Sequence, residues 1–284
     1  MGAAADDHLS LGTWRRDPGT VVRPGVPGNA GDSAIVAASE VPGVATEWAP
    51  HSHPLHLLVW VRGGTLTSRI GNRLFTVPPG FGLWLPAGVV HGGRLTAAAE
   101  LHEAFFAPER TPVAFAGPTS ITMTPLLEAL LVRLAGPDLA AGERVRTEAV
   151  VFDVLEPAER PIALELPGDP RIDAIAEALL ADPADERGLQ EWAAELATSE
   201  RTVTRAFREA TGLSFAQWRQ ALRVHVALAM LSDGTDVRNV SERLGYSQPS
   251  TFIAAFRRVM RVTPGALHVR NPVSPVQSAG LPPS

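Results

Sequence analysis

The stretch GLQEWAAELATSERTVTRAFREATGLSFAQWRQALRVHVALAMLSDGTDVRNVSERLGYSQPSTFIAAFRRVMRVTPGALH, residues 188–268, carries one apolar pattern twice. Leu189, Trp192 and Leu196 lead through a turn to Val203 and Phe207, and Val237, Val240 and Leu244 lead through a similar turn to Phe252 and Phe256. Each copy reads as a short helix, a turn and a second helix whose outer face is polar and bears Arg. That is the helix-turn-helix pattern, in which the second helix enters the major groove of DNA. In the first copy Thr198 or Ser199 is placed to cap a helix from about Glu200 to Ala210, which Gly212 ends. With Val203 and Phe207 turned inward, Arg201, Thr202, Thr204, Arg205 and Arg208 are left toward DNA. In the second copy Ser247 is expected to cap a helix from Gln248 to about Met260, with Pro249 tolerated in the first turn. Gln248, Ser250, Thr251, Ala254 and Arg257 then fall on the DNA side. Phe215–Leu231 reads as one helix of roughly 25 Å. Such a spacer holds two recognition helices about one DNA turn apart, so that one chain reads an asymmetric site.

The net charge of −5 runs against DNA binding until it is divided along the chain. Residues 197–270 hold 11 Arg against five Asp or Glu, and the earlier residues hold 14 Arg against 25 acids. A local basic surplus is what phosphate contact requires. All the basic residues are Arg, which suits phosphate forks and guanine edges. The competing reading of each is a solvated charge or an intrahelical pair, such as Arg205 with Glu209. The absence of cysteine excludes disulfide frameworks, zinc fingers and thiolate catalysis. The first ten residues are polar and acidic, unlike a signal peptide, and no apolar run approaches the roughly 20 residues of a membrane span. A cytoplasmic protein without a membrane partner is expected.

Here the residues resemble the DNA-binding domain of AraC/XylS-type transcription regulators, over about 100 residues, with SERLGYSQPSTFIAAFRRVMRVTPG matching that family's most specific signature. The resemblance implies a regulator that binds double-stranded promoter or operator DNA, and it assigns DNA contacts to Arg201, Thr204 and Arg205 and to Pro249, Ser250, Ile253 and Ala254. Ala254 stands where some members carry a long polar reader, so the second helix is expected to contribute more docking than base readout.

The rest of the chain divides by pattern. Residues 1–117 are rich in Gly and Pro, with strands expected over 57–62, 65–70, 73–77, 81–85 and 101–106 and a hairpin turn at Ile70, Gly71, Asn72 and Arg73. Residues 118–167 read as a helical linker or dimerisation region. In it Leu126, Leu127, Leu130, Leu131 and Leu134 form a stripe that either packs in the chain's own core or pairs with a second copy in a homodimer. Prolines 157, 161, 167 and 170 mark its end. Residues 168–270 form the all-α DNA-binding domain, and 271–284 a disordered tail. The expected fold is thus two-domain α+β: an N-terminal β-barrel, a helical linker and a C-terminal domain with two helix-turn-helix motifs.

His51 and His53 lie two apart before a strand, and Pro86, Gly88 and His91 follow about 35 residues later. Three imidazoles converging across a small barrel suit a divalent metal such as Ni, Zn, Mn or Fe. The arrangement resembles the cupin barrel, with His-x-His from one motif and Pro-x-Gly-x-x-His from the other. Enzymatic cupins carry an acid where this chain has Leu57. His56 is one residue off, and His102 on a later strand is a candidate replacement. The HxHP…WxPxGxxH half also resembles family members linked to nickel or other metal responses. Three readings follow for His51, His53 and His91: metal ligands, lining of a small-effector pocket, or plain packing, with Trp60, Trp84 and Phe81 placed to line the same pocket. The function expected is a DNA-binding regulator whose cupin-like domain senses a metal ion or small molecule. The alternatives are a metal-dependent cupin enzyme with an appended helical domain, and an architectural DNA binder with a vestigial sensor.

Overall fold

The computed structural model describes residues 20–23, 33–113, 115–136, 138–159 and 162–268; the expected tail, residues 271–284, and the acidic N-terminal residues lie outside these. Among the described residues the chain begins with β1 (Val21–Arg23), β2 (Ile35–Glu40), β3 (Thr46–His51), β4 (His56–Arg62), β5 (Leu66–Ile70), β6 (Arg73–Val77), β7 (Phe81–Leu85), β8 (His91–Leu95) and β9 (Glu100–Phe106). There follow β10 (Thr119–Thr122), α1 (Pro125–Ala135), α2 (Ala141–Val154) and β11 (Ala163–Glu165). The remainder is helical: α3 (Asp173–Ala181), α4 (Leu189–Glu195), α5 (Glu200–Thr211), α6 (Phe215–Ser232), α7 (Val237–Arg243), α8 (Pro249–Met260) and α9 (Pro264–His268).

The strands form two sheets, in the orders β1-β3-β8-β5-β6-β11 and β10-β7-β4-β9-β2. They face each other as an open, flattened barrel. At one side the edge strands are tied by an ion pair, Arg23 Nη1 to Glu40 Oε2 at 3.0 Å. At the other, the segment after α2 lies along β10, with Pro157 bridged to Ile121. Side chains alternate across each strand, and the central strands of both sheets bury both faces. Between them lie Leu57, Val59, Val61, Phe75, Leu83 and Leu95. The outer face of the second sheet (Leu58, Trp60, Trp84, Phe106) packs on α1 and α2. The outer face of the first (Leu74, with Leu164 and Leu166) packs on α3 to α6 through Leu179, Trp192, Phe207 and Trp218.

This layering corrects one expectation and decides between two readings of another segment. The segment 118–167 is not a separate linker, because β10 pairs with β7 and β11 with β6, extending one edge of each sheet. The leucine stripe on α1 is core of its own chain. Leu127, Leu131 and Leu134 are buried against the second sheet, and Leu126 alone of the five is exposed. α2 also covers the open side of β2, where Glu148 Oε1 accepts from the Ile35 N–H at 3.1 Å and Arg144 donates to the Ile35 carbonyl.

Candidate effector pocket and nucleic-acid interface

A cavity of about 400 Å³ lies between the two sheets. The first sheet lines it with Trp48, His51, Leu66, Ser68, His91 and Gly93, and the second with Leu57, Val59, Leu101, Glu103 and Phe105. His53, just after β3, completes the wall. In a regular strand Trp48 and His51 would face opposite ways. The register shifts between them, and this irregularity turns both inward. His51 then stands directly across from His91 on β8. The two histidine motifs are fastened by backbone: the Gly88 N–H donates to the His53 carbonyl at 2.8 Å. Gly88 has φ +78, a left-handed conformation that glycine adopts without cost. The Ala87 N–H donates to His56 Nδ1 at 3.0 Å, so His56, facing away from the cavity, anchors the loop that carries His91.

The three rings converge. Centroids of His51 and His91 are 4.4 Å apart, of His51 and His53 4.8 Å, and of His53 and His91 5.2 Å. One ligand nitrogen from each lies within 4.8 Å of the others. His51 Nδ1 bonds the Ala49 carbonyl at 2.8 Å and His91 Nδ1 the Val89 carbonyl at 2.9 Å. With Nδ1–H donated, Nε2 carries the lone pair in both rings. Both nitrogens of His53 are buried without a hydrogen-bond partner. Burial, then the neighbouring His91 and His51, hold His53 down to about 4, and burial chiefly lowers His91. Both rings are therefore neutral at pH 7, the form that binds a metal.

Trp60 and Trp84 do not line the cavity, contrary to expectation. They occupy the outward-facing positions of β4 and β7, where Leu57, Val59, Leu83 and Leu85 take the inward ones, and are buried against α1 and α2. Phe81 packs at the far end, between the sheets and the α6–α8 cluster. His102 also faces outward, stacked on Trp60 at 5.0 Å with Nε2 3.0 Å from Glu100 Oε1. The inward carboxyl on β9 is its neighbour Glu103, which sequence reading missed. The signal for it was the alternation of Leu101, Glu103 and Phe105.

The helical domain is strung on α6, against which α5, α7 and α8 all pack. On α5, Arg201, Arg205 and Arg208 are exposed and Thr202 and Thr204 half-buried, above buried Val203, Ala206 and Phe207. Ser199 caps the helix, accepting from the Thr202 N–H at 3.2 Å, and Gly212 ends it at φ +72. Arg205 lies 3.6 Å from Glu209 in an exposed i,i+4 pair; among the described residues Arg201, Arg208 and Arg257 form no ion pair. On α8, Gln248, Ser250, Thr251, Ala254 and Arg257 are exposed, while Ile253 is packed against the core. Its N-cap is Gln248, with no side-chain cap, rather than Ser247. The reason is Pro249, whose ring pushes the residue before it into the extended region where a cap residue sits.

The first sheet is a shared wall. Leu66, Ser68 and Gly93 face the histidine cavity, while Thr67, Thr76 and Arg94 face a second cavity of about 610 Å³ bounded by α6. Across that boundary Thr76 Oγ1 lies 2.8 Å from His225 Nδ1, and the Trp218 indole donates to the Glu165 carbonyl at 2.7 Å. His225 also hydrogen-bonds the backbone of Ala163, and complete burial pushes it down to about 4. It is a packing residue that joins the two halves.

Residues 38–108 match the AraC-like ligand binding domain, and residues 192–270 match a helix-turn-helix domain. The HTH-type transcriptional regulator NimR of Escherichia coli (strain K12) is 32% identical over 236 residues, 81% of this chain and 85% of that protein. The HTH-type transcriptional regulator RipA of Corynebacterium glutamicum is 30% identical over 212 residues, 73% of this chain and 60% of RipA. Among solved structures, ToxT from Vibrio cholerae covers 83% of this chain and 97% of its own, at 10% identity and a TM-score of 0.35, a likeness too slight to carry structural detail.

Proposed function

The chain belongs to the AraC-type helix-turn-helix transcription regulators, and we propose that its sensor works through a divalent metal ion held by His51, His53 and His91. The family is one of DNA-binding regulators with a small-molecule-sensing domain, not of enzymes, so the cupin-enzyme alternative falls. The observation that carries the metal reading is the orientation of the rings. Two hold Nδ1 against backbone carbonyls, which leaves Nε2 as the ligand nitrogen, and the third is buried with both nitrogens unpaired. Backbone-anchored imidazoles of this kind are the usual outer support of a metal site. Three imidazole nitrogens suit Ni, Zn, Fe(II) or Mn, and the ion would supply a Lewis-acidic point to which an effector's donor atom attaches.

On the reading side, Arg201 and Arg205 contact base edges, with Thr202 and Thr204 beside them. Arg208 and Arg257 contact phosphate, and Gln248, Ser250 and Thr251 dock α8. The exposure of this set on the two recognition helices supports the assignment. A state of the pocket reaches DNA through the first sheet, whose two faces touch the cavity and α6; the effector must favour one setting of that wall over another for this to work. Two copies act together in the cytoplasm. Support for the pair now comes from exposed Leu126 and Val145 on α1 and α2 rather than from the buried stripe. Among the described residues no helix is long and apolar enough to cross a membrane.

The test is calorimetric titration of the full chain with Ni²⁺, Zn²⁺, Mn²⁺ and Fe²⁺, beside a variant carrying His51→Ala, His53→Ala and His91→Ala. One ion bound per chain, and lost in the variant while DNA binding persists, is the expected result. No binding by the unaltered chain overturns the metal reading and leaves the regulator intact.

A further inference from the structure

The pocket holds one titratable group that the histidine trio leaves unused. Glu103 projects inward from β9, beside Val59 on β4 and Ala38 on β2. None of the described residues donates a hydrogen bond to it, and burial, then the Glu40 carboxylate, push it up to about 7. The charged groups lining the cavity with it are few. Glu40 on β2 and Arg23 on β1 neutralise each other at 3.0 Å, and the three histidines stand across the pocket. This end of the cavity therefore has one carboxyl more than its guanidinium can balance. The walls between are apolar: Val36, Val59, Leu101 and Phe105. Phe105 lies two residues from Glu103, about 7 Å along the strand, and its ring is 5.3 Å from that of His53. Carboxyl, phenyl ring and imidazoles thus line one cavity, whose volume of about 400 Å³ accommodates a molecule with a ring-sized apolar body.

We infer that Glu103 determines the specificity of this pocket and selects a small organic cation, with an apolar body of about one ring and a protonated amine or amidine that donates to the Glu103 carboxylate. The inference rests on the reading of this cavity as the effector site and is independent of the metal. A half-buried carboxyl without a donor is costly, and an N–H cation supplies the charge-assisted bond that the protein omits. When Glu103 is protonated beforehand, its proton leaves to solvent as the salt bridge forms. A neutral molecule of the same shape gains no such bond, and an anion meets an unpaired carboxylate.

The experiment compares benzylamine, benzyl alcohol and benzoate as probes of the full-length chain at pH 7, by calorimetry in two buffers of different ionisation enthalpy. Benzylamine is expected to bind at least tenfold tighter than either of the others and to release a fraction of a proton that benzyl alcohol does not. In Glu103→Gln, a close match in shape to the protonated acid, the preference for the amine disappears while benzyl alcohol binds as before. Leu57→Trp, which fills the cavity, abolishes binding of all three and locates it. Equal binding of amine and alcohol, or an amine preference that survives Glu103→Gln, overturns the role of Glu103 and leaves the pocket standing. Failure of every probe to bind at millimolar concentration overturns the pocket reading, and this inference with it.

Discussion

On α5, Arg201, Arg205 and Arg208 share an outer face because they are spaced by four and three residues along one helix. In the cavity, His51, His91 and Glu103 face one another because β3 is irregular between Trp48 and His51, β8 pairs with β3, and β9 crosses the facing sheet. The first arrangement is local and survives in any context that keeps the helix. The second exists only once several strands have found their register. A regulator built this way has a reading surface that tolerates change elsewhere and a sensing surface that answers to the whole β half. The boundary between them, Thr76 against His225, is where the two kinds of order are coupled.

The largest effect expected tests whether the reading surface is as separable as this contrast implies. Arg201→Ala with Arg205→Ala removes two candidate base contacts, each worth about 1–3 kcal/mol of discrimination. Affinity for a footprinted operator should fall by about 100-fold or more, measured by fluorescence anisotropy at fixed salt. Non-specific binding should fall far less, and metal binding at the histidines not at all. A double variant that keeps its operator affinity would return both residues to ordinary solvated charges, and Arg205 to its pair with Glu209.

The same contrast explains what could be read without coordinates. Helix boundaries at α1, α5 and α6, and the outward set on α5, follow from 3.6-residue periodicity and nearby caps, all within a dozen residues. The hairpin β5–β6 was equally local, closed at Gly71 with φ +58. By contrast, β3 contains Pro50 and β8 contains Gly92 and Gly93, residues disfavoured in strands, and it is their pairing with each other and with β1 and β5 that makes them strands. Strands buried on both faces mislead in another way. Trp60 and Trp84 are apolar and near the motifs, yet nothing local says that the face they occupy is covered by α1. Pattern reading found the three histidines because their spacing is short-range within each motif. It missed Glu103, whose inward direction shows in the alternation along β9 but whose place opposite the histidines depends on the facing sheet.

An intermediate effect sharpens the boundary itself. His225 takes up a proton at about 4 in the folded chain, against an ordinary value of 6.5 when unfolded. Above about pH 6.5 both states hold a neutral ring and the residue adds no pH dependence. Between those values the unfolded chain binds more protons, so stability falls as pH falls. The loss amounts to about 2 kcal/mol between pH 7.5 and pH 5. Denaturant unfolding of the unaltered chain and His225→Phe at both pH values reads this directly. The variant is less stable at pH 7.5, since Thr76 loses its partner, but its pH-dependent decline should be smaller by about that amount. An undiminished decline in the variant would show that His225 is not sealed between sheet and helix.

The smallest effect lies within the reading surface, where the two recognition helices differ in how they begin. Ser199 accepts the Thr202 N–H and satisfies a donor that α5 would otherwise leave open, whereas Gln248 gives α8 no side-chain bond and Pro249 removes one donor outright. Ser199→Ala should therefore cost about 1 kcal/mol, against a few tenths at most for Gln248→Ala. Amide hydrogen exchange resolves the two, because the faster exchange should be confined to the first turn of α5 in one variant and be nearly absent from α8 in the other. Equal costs would mean that α8 is held at its start by a side chain after all. The present contrast instead rests the start of α8 on Pro249 and on Phe252 and Phe256 in the core beneath it, and leaves its exposed residues free to meet DNA.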